Sequence, residues 1–311
     1  MSEKGELLGQ HAGPTATVDI CVCTYKRPAL KETLLSLLSQ HAPGLKLRII
    51  VADNDEEPTA KALVYEIMEG SATPIHYLHA PSRNISIARN ACLDAADADW
   101  LAFIDDDETA SPNWIGDLHS AAVRDGSDIK FGPVYAIYPE DTPEWIRQDD
   151  YHSTRAPQKN GEVKTGHAGN VLMRWGDVPW REERFLLSKG RTGGEDVEFF
   201  FRMSRMGLRL GVCDQAAAFE PAPAERLTYQ WIRRRRFLAG QFHGAHSGPP
   251  GLALIHRIKL LAGSGLKLTY CGLRALTQSW SPAARRRWMI RCGFHAGVCA
   301  GALNFEEAEQ Y

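Results

Sequence analysis

The stretch Trp100-Leu101-Ala102-Phe103-Ile104-Asp105-Asp106-Asp107 joins a short apolar run to three consecutive carboxylates. Five apolar residues bounded by polar ones predict a strand buried on both faces of a parallel sheet. Three carboxylates at its end repel one another, and that cost falls when a cation sits among them. Oxygen-rich sites suit hard divalent ions such as Mg²⁺ or Mn²⁺, which often bridge to a ligand's phosphates. An acidic turn is the plainer alternative, since Asp favours turns and helix N-caps. The surrounding chain has to decide between the two.

Upstream, strand and helix patterns alternate. Val18–Thr24 is apolar and β-branched, and Arg27-Pro28 precedes a helical pattern over Ala29–Gln40. A second strand, Leu47–Ala52, ends at Asp53-Asn54-Asp55, followed by a helix over Pro58–Glu69 and a short strand at Ile75–His79. Ser86–Ala96 reads as a helix feeding the Trp100–Ile104 strand. This alternation predicts an α/β fold with a mostly parallel sheet flanked by helices, whose ligands sit beyond the carboxyl ends of its strands. Thr24-Tyr25-Lys26-Arg27, Asp53-Asn54-Asp55 and the Asp cluster all fall at that edge. The chain has neither GxGxxG after a strand nor GxxxxGK[ST], which disfavours dinucleotide oxidoreductases and P-loop enzymes. Residues 129–169 read as less regular. Asn170–Trp175 resumes a strand pattern, Gly193-Gly194-Glu195-Asp196 opens a helix over Val197–Met206, and Leu208–Cys213 reads as the final strand.

The net charge of −2 conceals a split. Between Arg226 and Asn304 there are 13 Lys and Arg residues and no Asp or Glu, so the acidic excess lies in the rest of the chain. The expected division is a flexible tail over 1–17, a catalytic domain over 18–225 and a basic helical region over 226–311. Seven cysteines form no CxxC pair, which predicts buried free thiols in a reducing compartment. No apolar stretch reaches the length needed to span a bilayer, and the polar start lacks the apolar core of a signal peptide. The protein is therefore expected in the cytoplasm.

Four motifs in order carry a resemblance. Cys23-Thr24-Tyr25-Lys26-Arg27-Pro28, then Asp53-Asn54, then Ile87-Ala88-Arg89-Asn90 ahead of Phe103–Glu108, then Gly193–Asp196, together resemble a family 2 glycosyltransferase. The likeness covers roughly residues 18–221, and within the family it is similar to bacterial exopolysaccharide enzymes of the succinoglycan β-glucosyltransferase kind. It implies a GT-A fold and a nucleotide-sugar donor lying across the strand ends. Asp105-Asp106-Asp107 would be the family's DxD motif. On that mapping Asp105 lies near the ribose and Asp107 holds Mn²⁺ or Mg²⁺ against the diphosphate, while Asp106 shares one of these tasks. Asp53 matches the position that accepts a hydrogen bond from uracil, which a carboxylate suits because it can only accept; an Asx turn capping the next segment is the alternative. Thr24 and Arg27 flank the nucleotide, unless Arg27 is an ordinary surface charge. Arg89 serves as a counter-charge to the Asp cluster, or is a solvated helix residue.

Glu195-Asp196 supplies the second half of the chemistry. An acceptor hydroxyl is a poor nucleophile, and a positioned carboxylate that removes its proton is worth about 10²–10⁴-fold. Asp196 is the expected base, with Glu195 orienting the acceptor; first-turn helix caps are the alternative. A single base opposite the leaving group implies inversion, as in this family. Trp145, Trp175 and Trp180 receive no role, and His167 reads as a satisfied structural histidine, with a place lining the acceptor pocket as the alternative.

Gln230-Trp231-Ile232-Arg233-Arg234-Arg235-Arg236 follows, departing from the QxxRW form of processive synthases. At 100° per residue, Leu254, Ile255, Ile258, Leu261, Leu268, Leu273 and Leu276 share one side of a helix and His256, Lys259, Lys267 and Arg274 the other. A second basic-apolar segment runs from Arg285 to Leu303. Basic amphipathic helices rest on anionic membranes, so a peripheral place on the cytoplasmic face of the inner membrane is expected, and no nucleic-acid motif accompanies the charge. The full expectation is transfer of a hexose, glucose from UDP-glucose, to a lipid-linked oligosaccharide acceptor in exopolysaccharide biosynthesis. A sugar nucleotidyltransferase would want a glycine- and lysine-rich loop after the first strand, and a non-catalytic scaffold would not keep Asp105, Asp107 and Asp196.

Overall fold

A computed structural model describes residues 16–246 and 253–303. Of the tail expected over 1–17, only Ala16 and Thr17 are described, and they open the first strand: Thr17 donates from its N–H and its hydroxyl to Asp99 at 2.9 and 2.8 Å. The expected alternation holds through β1 (Ala16–Thr24), α1 (Leu30–Leu38), β2 (Leu45–Asp53), α2 (Lys61–Glu69), β3 (Ile75–His79), α3 (Ile85–Ala95) and β4 (Trp100–Asp105). Strands β5 (Thr109–Ala110), β6 (Ile129–Phe131) and β7 (Val134–Ile137) follow, with α4 (Trp114–Asp125) after β5 and α5 (Glu144–Asp149) after β7. A small hairpin, β8 (Gln158–Lys159) and β9 (Glu162–Val163), leads to β10 (Asn170–Arg174), α6 (Glu195–Arg205), β11 (Leu210–Val212) and β12 (Ala218–Pro221).

The central sheet runs β11-β6-β10-β4-β1-β2-β3 and is parallel except at β10, which is antiparallel to both neighbours. Register aligns Thr24 with Asp53, and Cys23 with Asp105, so three strand ends finish together at one edge. The strands are buried on both faces. Ile20, Val22, Val51 and Ile104 meet α1, α2 and α4 on one side; Cys21, Ile50 and Phe103 meet α3 and α6 on the other. That two-sided burial is why they read as continuous apolar runs rather than alternating ones.

Two expectations are corrected. Residues 129–169 hold two strands, a helix and a hairpin, elements too short to leave a periodic signal. Leu208–Cys213 is not the final strand: β12 follows and lies between β5 and β7 in a second, three-stranded sheet. Its Ala-rich start has little strand propensity of its own.

The basic region forms α7 (Tyr229–His246), α8 (Ala253–Thr277) and α9 (Pro282–Ala302). Helices α7 and α9 meet backbone to backbone. A Cβ on Gly240 or Gly244 would collide with the Phe294 or Val298 carbonyl, and one on Gly297 or Gly301 with the Phe237 or Gln241 carbonyl. Ile232 and Ile290 then join Ile146 of α5, and Arg287 binds Asp149 at 2.6 Å, fastening the pair to the α/β body. Among the described residues no helix is long and apolar enough to cross a membrane.

Candidate active site

An open cleft of ≈ 1180 Å³ lies over the carboxyl ends of the strands. Arg27, Arg89, Asp105, Asp107, Glu195 and Asp196 line it, so the two acidic motifs, some ninety residues apart in sequence, face one space. Thr24, Asp53 and Asp106 are buried at the same edge.

What joins the motifs is α3. Asn84 caps it by accepting from Ser86 N–H, and donates to the Leu187 carbonyl at 2.9 Å. Six residues on, Asn90 donates to the Phe185 carbonyl and accepts from the Phe185 N–H. These bonds clamp the helix to the loop that leads into α6. Between the clamps, Arg89 is buried over the Phe185 ring, ion-paired to Glu195 and 3.7 Å from Asp105. The counter-charge reading of Arg89 is the one the structure shows. A further consequence concerns Glu195. Its carboxylate is buried, with one oxygen on Arg89 and the other without a hydrogen bond. It is the partner of Arg89, and it lines the cleft beside Asp196.

Asp196 is placed differently. It sits in the first turn of α6, accepts from the Val197 and Ala168 N–H groups, and lies 3.7 Å from His167 Nδ1. Burial alone would raise its pKa, but His167 beside it and nearby Arg89 hold it below the usual carboxylate range. That shift favours the ionised form, the state a proton acceptor needs. Burial and Asp196 push Glu195 the other way, against the pull of Arg89. Gly193 and Gly194 both have positive φ, and a Cβ on Gly194 would collide with Phe242 of α7. The glycine pair thus lets the motif turn under the α7–α9 wall.

The Asp cluster divides along its length. Asp105, half exposed to the cleft, is raised by enclosure and by Asp107 and Asp196, with Arg89 opposing. Asp106 points inward, 7% exposed, accepts from the Tyr25 N–H at 3.4 Å and lies 3.6 Å from Arg27. Burial, reinforced by Asp107, pushes it up to about 7, while the Thr24 hydroxyl and Arg27 pull down. Asp107 faces Arg27 at 3.4 Å and opens to the cleft. Arg27 is therefore bound up with the cluster rather than being a free surface charge.

Asp53 aligns with this edge, but it is 0% exposed. Its oxygens accept from the N–H groups of Asp55 and Ala60 and from the Tyr77 hydroxyl at 3.1, 2.8 and 2.9 Å. Those bonds organise the turn after β2, and they hold Asp53 in register with Thr24 at the edge of the cleft.

Two carboxylates carried no role in the sequence reading. Glu108 is buried under the cleft floor and raised well above its usual range by burial and by Asp105. Glu220 of β12 lines the cleft and pairs with Arg226 at 2.9 Å. A lone acid in the apolar run Ala216–Pro221 was the one signal of it. Gly169 completes the floor, where a Cβ would stand 2.6 Å from Glu108 Oε1 and 2.9 Å from Asp105 Oδ2. Arg234, Arg235 and Phe242 of α7 and Phe294 of α9 close the far wall. Trp175 is core, and Trp145 packs beside the α5–α7–α9 cluster under Arg286.

Carboxylates and arginines both line this cleft, and among the described residues no three His, Cys, Asp or Glu side chains converge on one point. An ion held by one or two carboxylates and completed by a ligand's phosphates and water needs no such cage. The hard oxygens of Asp105 and Asp107 fit that arrangement.

The cleft lies at the strand ends of an α/β sheet, and the sequence pattern of glycosyl transferase family 2 matches residues 19–177, just over half the chain. The chain belongs to that family, which implies a nucleotide-sugar donor and a saccharide acceptor. It is 42% identical over 304 residues to the succinoglycan biosynthesis protein ExoM of Rhizobium meliloti (strain 1021), covering 96% of each chain. It is 33% identical over 190 residues to the glucosyl-dolichyl phosphate glucuronosyltransferase of Haloferax volcanii, covering 58% of this chain and 59% of that one. The crystal structure of S. aureus TarS residues 1–349 superposes with a TM-score of 0.51 at 15% identity, over 91% of this chain and 90% of that one. That likeness establishes the GT-A fold.

Proposed function

We propose that the protein is an inverting hexosyltransferase of exopolysaccharide assembly. It would transfer glucose from UDP-glucose to a lipid-linked oligosaccharide at the cytoplasmic face of the inner membrane. The observation that carries the reading is the Arg89 bridge, which holds the Asp105–Asp107 edge and the Glu195-Asp196 turn across one cleft. The class of polymer rests on the 42% identity to a succinoglycan biosynthesis protein.

On the donor side, Asp105 would meet the ribose and Asp107 would hold Mn²⁺ or Mg²⁺. When bound, the ion offsets the negative charge that develops on the leaving diphosphate. Asp106, turned inward, positions Tyr25 and Arg27 at the nucleotide's edge. On the acceptor side, the sugar hydroxyl lies against Asp196. Its oxygen forms a bond to the anomeric carbon as the bond to the diphosphate breaks, and its proton passes to Asp196. Attack from the face opposite the leaving group inverts the anomeric configuration. His167 steadies the Asp196 carboxylate, and Arg89 keeps it from repelling Asp105.

Purified protein incubated with UDP-glucose and other nucleotide sugars, with Mn²⁺ or with EDTA, is expected to release UDP from one donor only when the metal is present. Failure to bind or turn over any nucleotide sugar under either condition would sink the reading.

A further inference from the structure

Helix α8 packs on α9 through small, buried residues, Ser264, Cys271 and Ala275. Its other face has no partner among the described residues. Leu254, Leu266 and Leu276 are 73%, 75% and 72% exposed, Ile255, Ile258, Tyr270 and Leu273 are more than half exposed, and Trp280 just beyond the helix is 80% exposed. The wheel drawn from sequence is thereby shifted: Leu261 and Leu268 turn partly inward, while Leu266 and Tyr270 join the open face. Folded proteins rarely leave so long an apolar stripe in water.

Charge says what covers it. Lys259 and Lys267 flank the stripe in the open, and Arg285 and Arg291 of α9 are exposed nearby. No acidic residue lies anywhere between Arg226 and Asn304. An apolar stripe bordered by lysines, with Tyr270 within it and Trp280 at its end, matches the boundary between acyl chains and anionic headgroups. The helix does not qualify as a membrane span, so it would lie on the surface. We propose that α8 docks the protein on an anionic lipid bilayer, with Leu254, Ile258, Leu266, Leu273 and Leu276 in the acyl boundary. Helix α9 links this surface to the cleft, for it meets α8 and also contributes Phe294 to the cleft wall. An acceptor carried on a lipid thus reaches Asp196 past α9; only this last step rests on the transferase reading.

The test is flotation of the full-length protein with phosphatidylcholine vesicles that contain or lack phosphatidylglycerol, without donor or acceptor. Wild type is expected to float with the anionic vesicles alone. A Leu266→Asp/Leu273→Asp variant should lose at least about tenfold in capture, following the apolar area removed from lipid. Lys259→Ser/Lys267→Ser should lose the preference for anionic lipid and the sensitivity to salt. Unchanged circular dichroism and melting temperature establish that both variants fold, because all four side chains are exposed. Wild type left unbound by anionic vesicles, or the double-Asp variant captured as well as wild type, overturns the proposal. So does a wild-type dimer by light scattering that the double-Asp variant turns into a monomer, since the stripe would then be a self-interface.

Discussion

Two groups of aspartates stand at opposite ends of the same strands. At the amino end of the sheet, Asp19 is buried yet fully matched. Arg48 binds it through two N–H groups, each at 2.7 Å, and the Asp97 and Ala98 N–H groups donate at 2.9 and 3.1 Å. At the carboxyl end, Asp105, Asp106, Asp107 and Glu108 crowd together with Glu195, Asp196 and Glu220; arginines face several of them, yet burial and mutual repulsion still hold Asp106, Glu108 and Glu220 above the usual carboxylate range. The residue type is the same and the energetics are opposite. A carboxylate whose lone pairs are filled by the fold supports the fold. One left short of partners stores a demand that a ligand can meet, which is why perturbed carboxylates mark functional clefts.

The largest way to test this contrast is at Asp196. Asp196→Asn keeps the hydrogen-bonding shape but cannot take a proton, and transfer should fall by about 10²–10⁴-fold. Donor binding by calorimetry and the melting temperature should stay at wild-type values. Transfer within a few-fold of wild type would remove Asp196 from the base role. At the matched end the effect should reverse in kind. Asp19→Ala leaves Arg48 with only Asp97 and the Ala95 carbonyl, and should cost roughly 3 kcal/mol in urea unfolding, with activity retained in the folded fraction. A cost well below 1 kcal/mol would erase the distinction between the two ends.

Asp106 offers a smaller, pH-dependent test. Its folded pKa of about 7 lies above that of an unfolded aspartate. The protonated form therefore stabilises the fold. Its contribution is complete below about pH 4 and is lost as pH rises through about 7. Asp106→Asn removes this dependence, so the variant should match wild type at pH 4 and exceed it by about 2 kcal/mol at pH 8. Parallel stability profiles for the two proteins would show that the cluster is not strained. Smallest is Tyr77→Phe, which takes one hydrogen bond from Asp53 and should cost about 1 kcal/mol by thermal unfolding. No change in stability would deny Asp53 its place in the turn.

Much of this cleft is legible in the amino-acid sequence. Asp105–Asp107 and Glu195-Asp196 carry their signal locally, an acidic group after an apolar run and a glycine pair opening a helix. Asp53 is legible only in position: a strand-end aspartate is equally a ligand contact and a turn cap, and its bond from the Tyr77 hydroxyl, twenty-four residues away, has no local signal. Glu108 and Glu220 are silent because little that is local marks them. Glu220 reaches the cleft through the pairing of β12 with β5 and β7, strands of two and four residues that leave no periodicity.

The amino-acid sequence by itself determined the alternation of strands and helices over the first hundred residues, the edge where acidic groups gather and the basic character of the last third. Those are properties of local periodicity and composition, and they survive without knowledge of contacts. Tertiary structure alone decided that Arg89 pairs with Glu195, that Asp106 turns inward while Asp105 and Asp107 open to the cleft, and that α7 and α9 wall the site while α8 faces outward. Each of these depends on which surfaces meet across some tens to a hundred residues of chain. An amphipathic pattern states that a helix has an apolar face; only packing determines whether protein covers it.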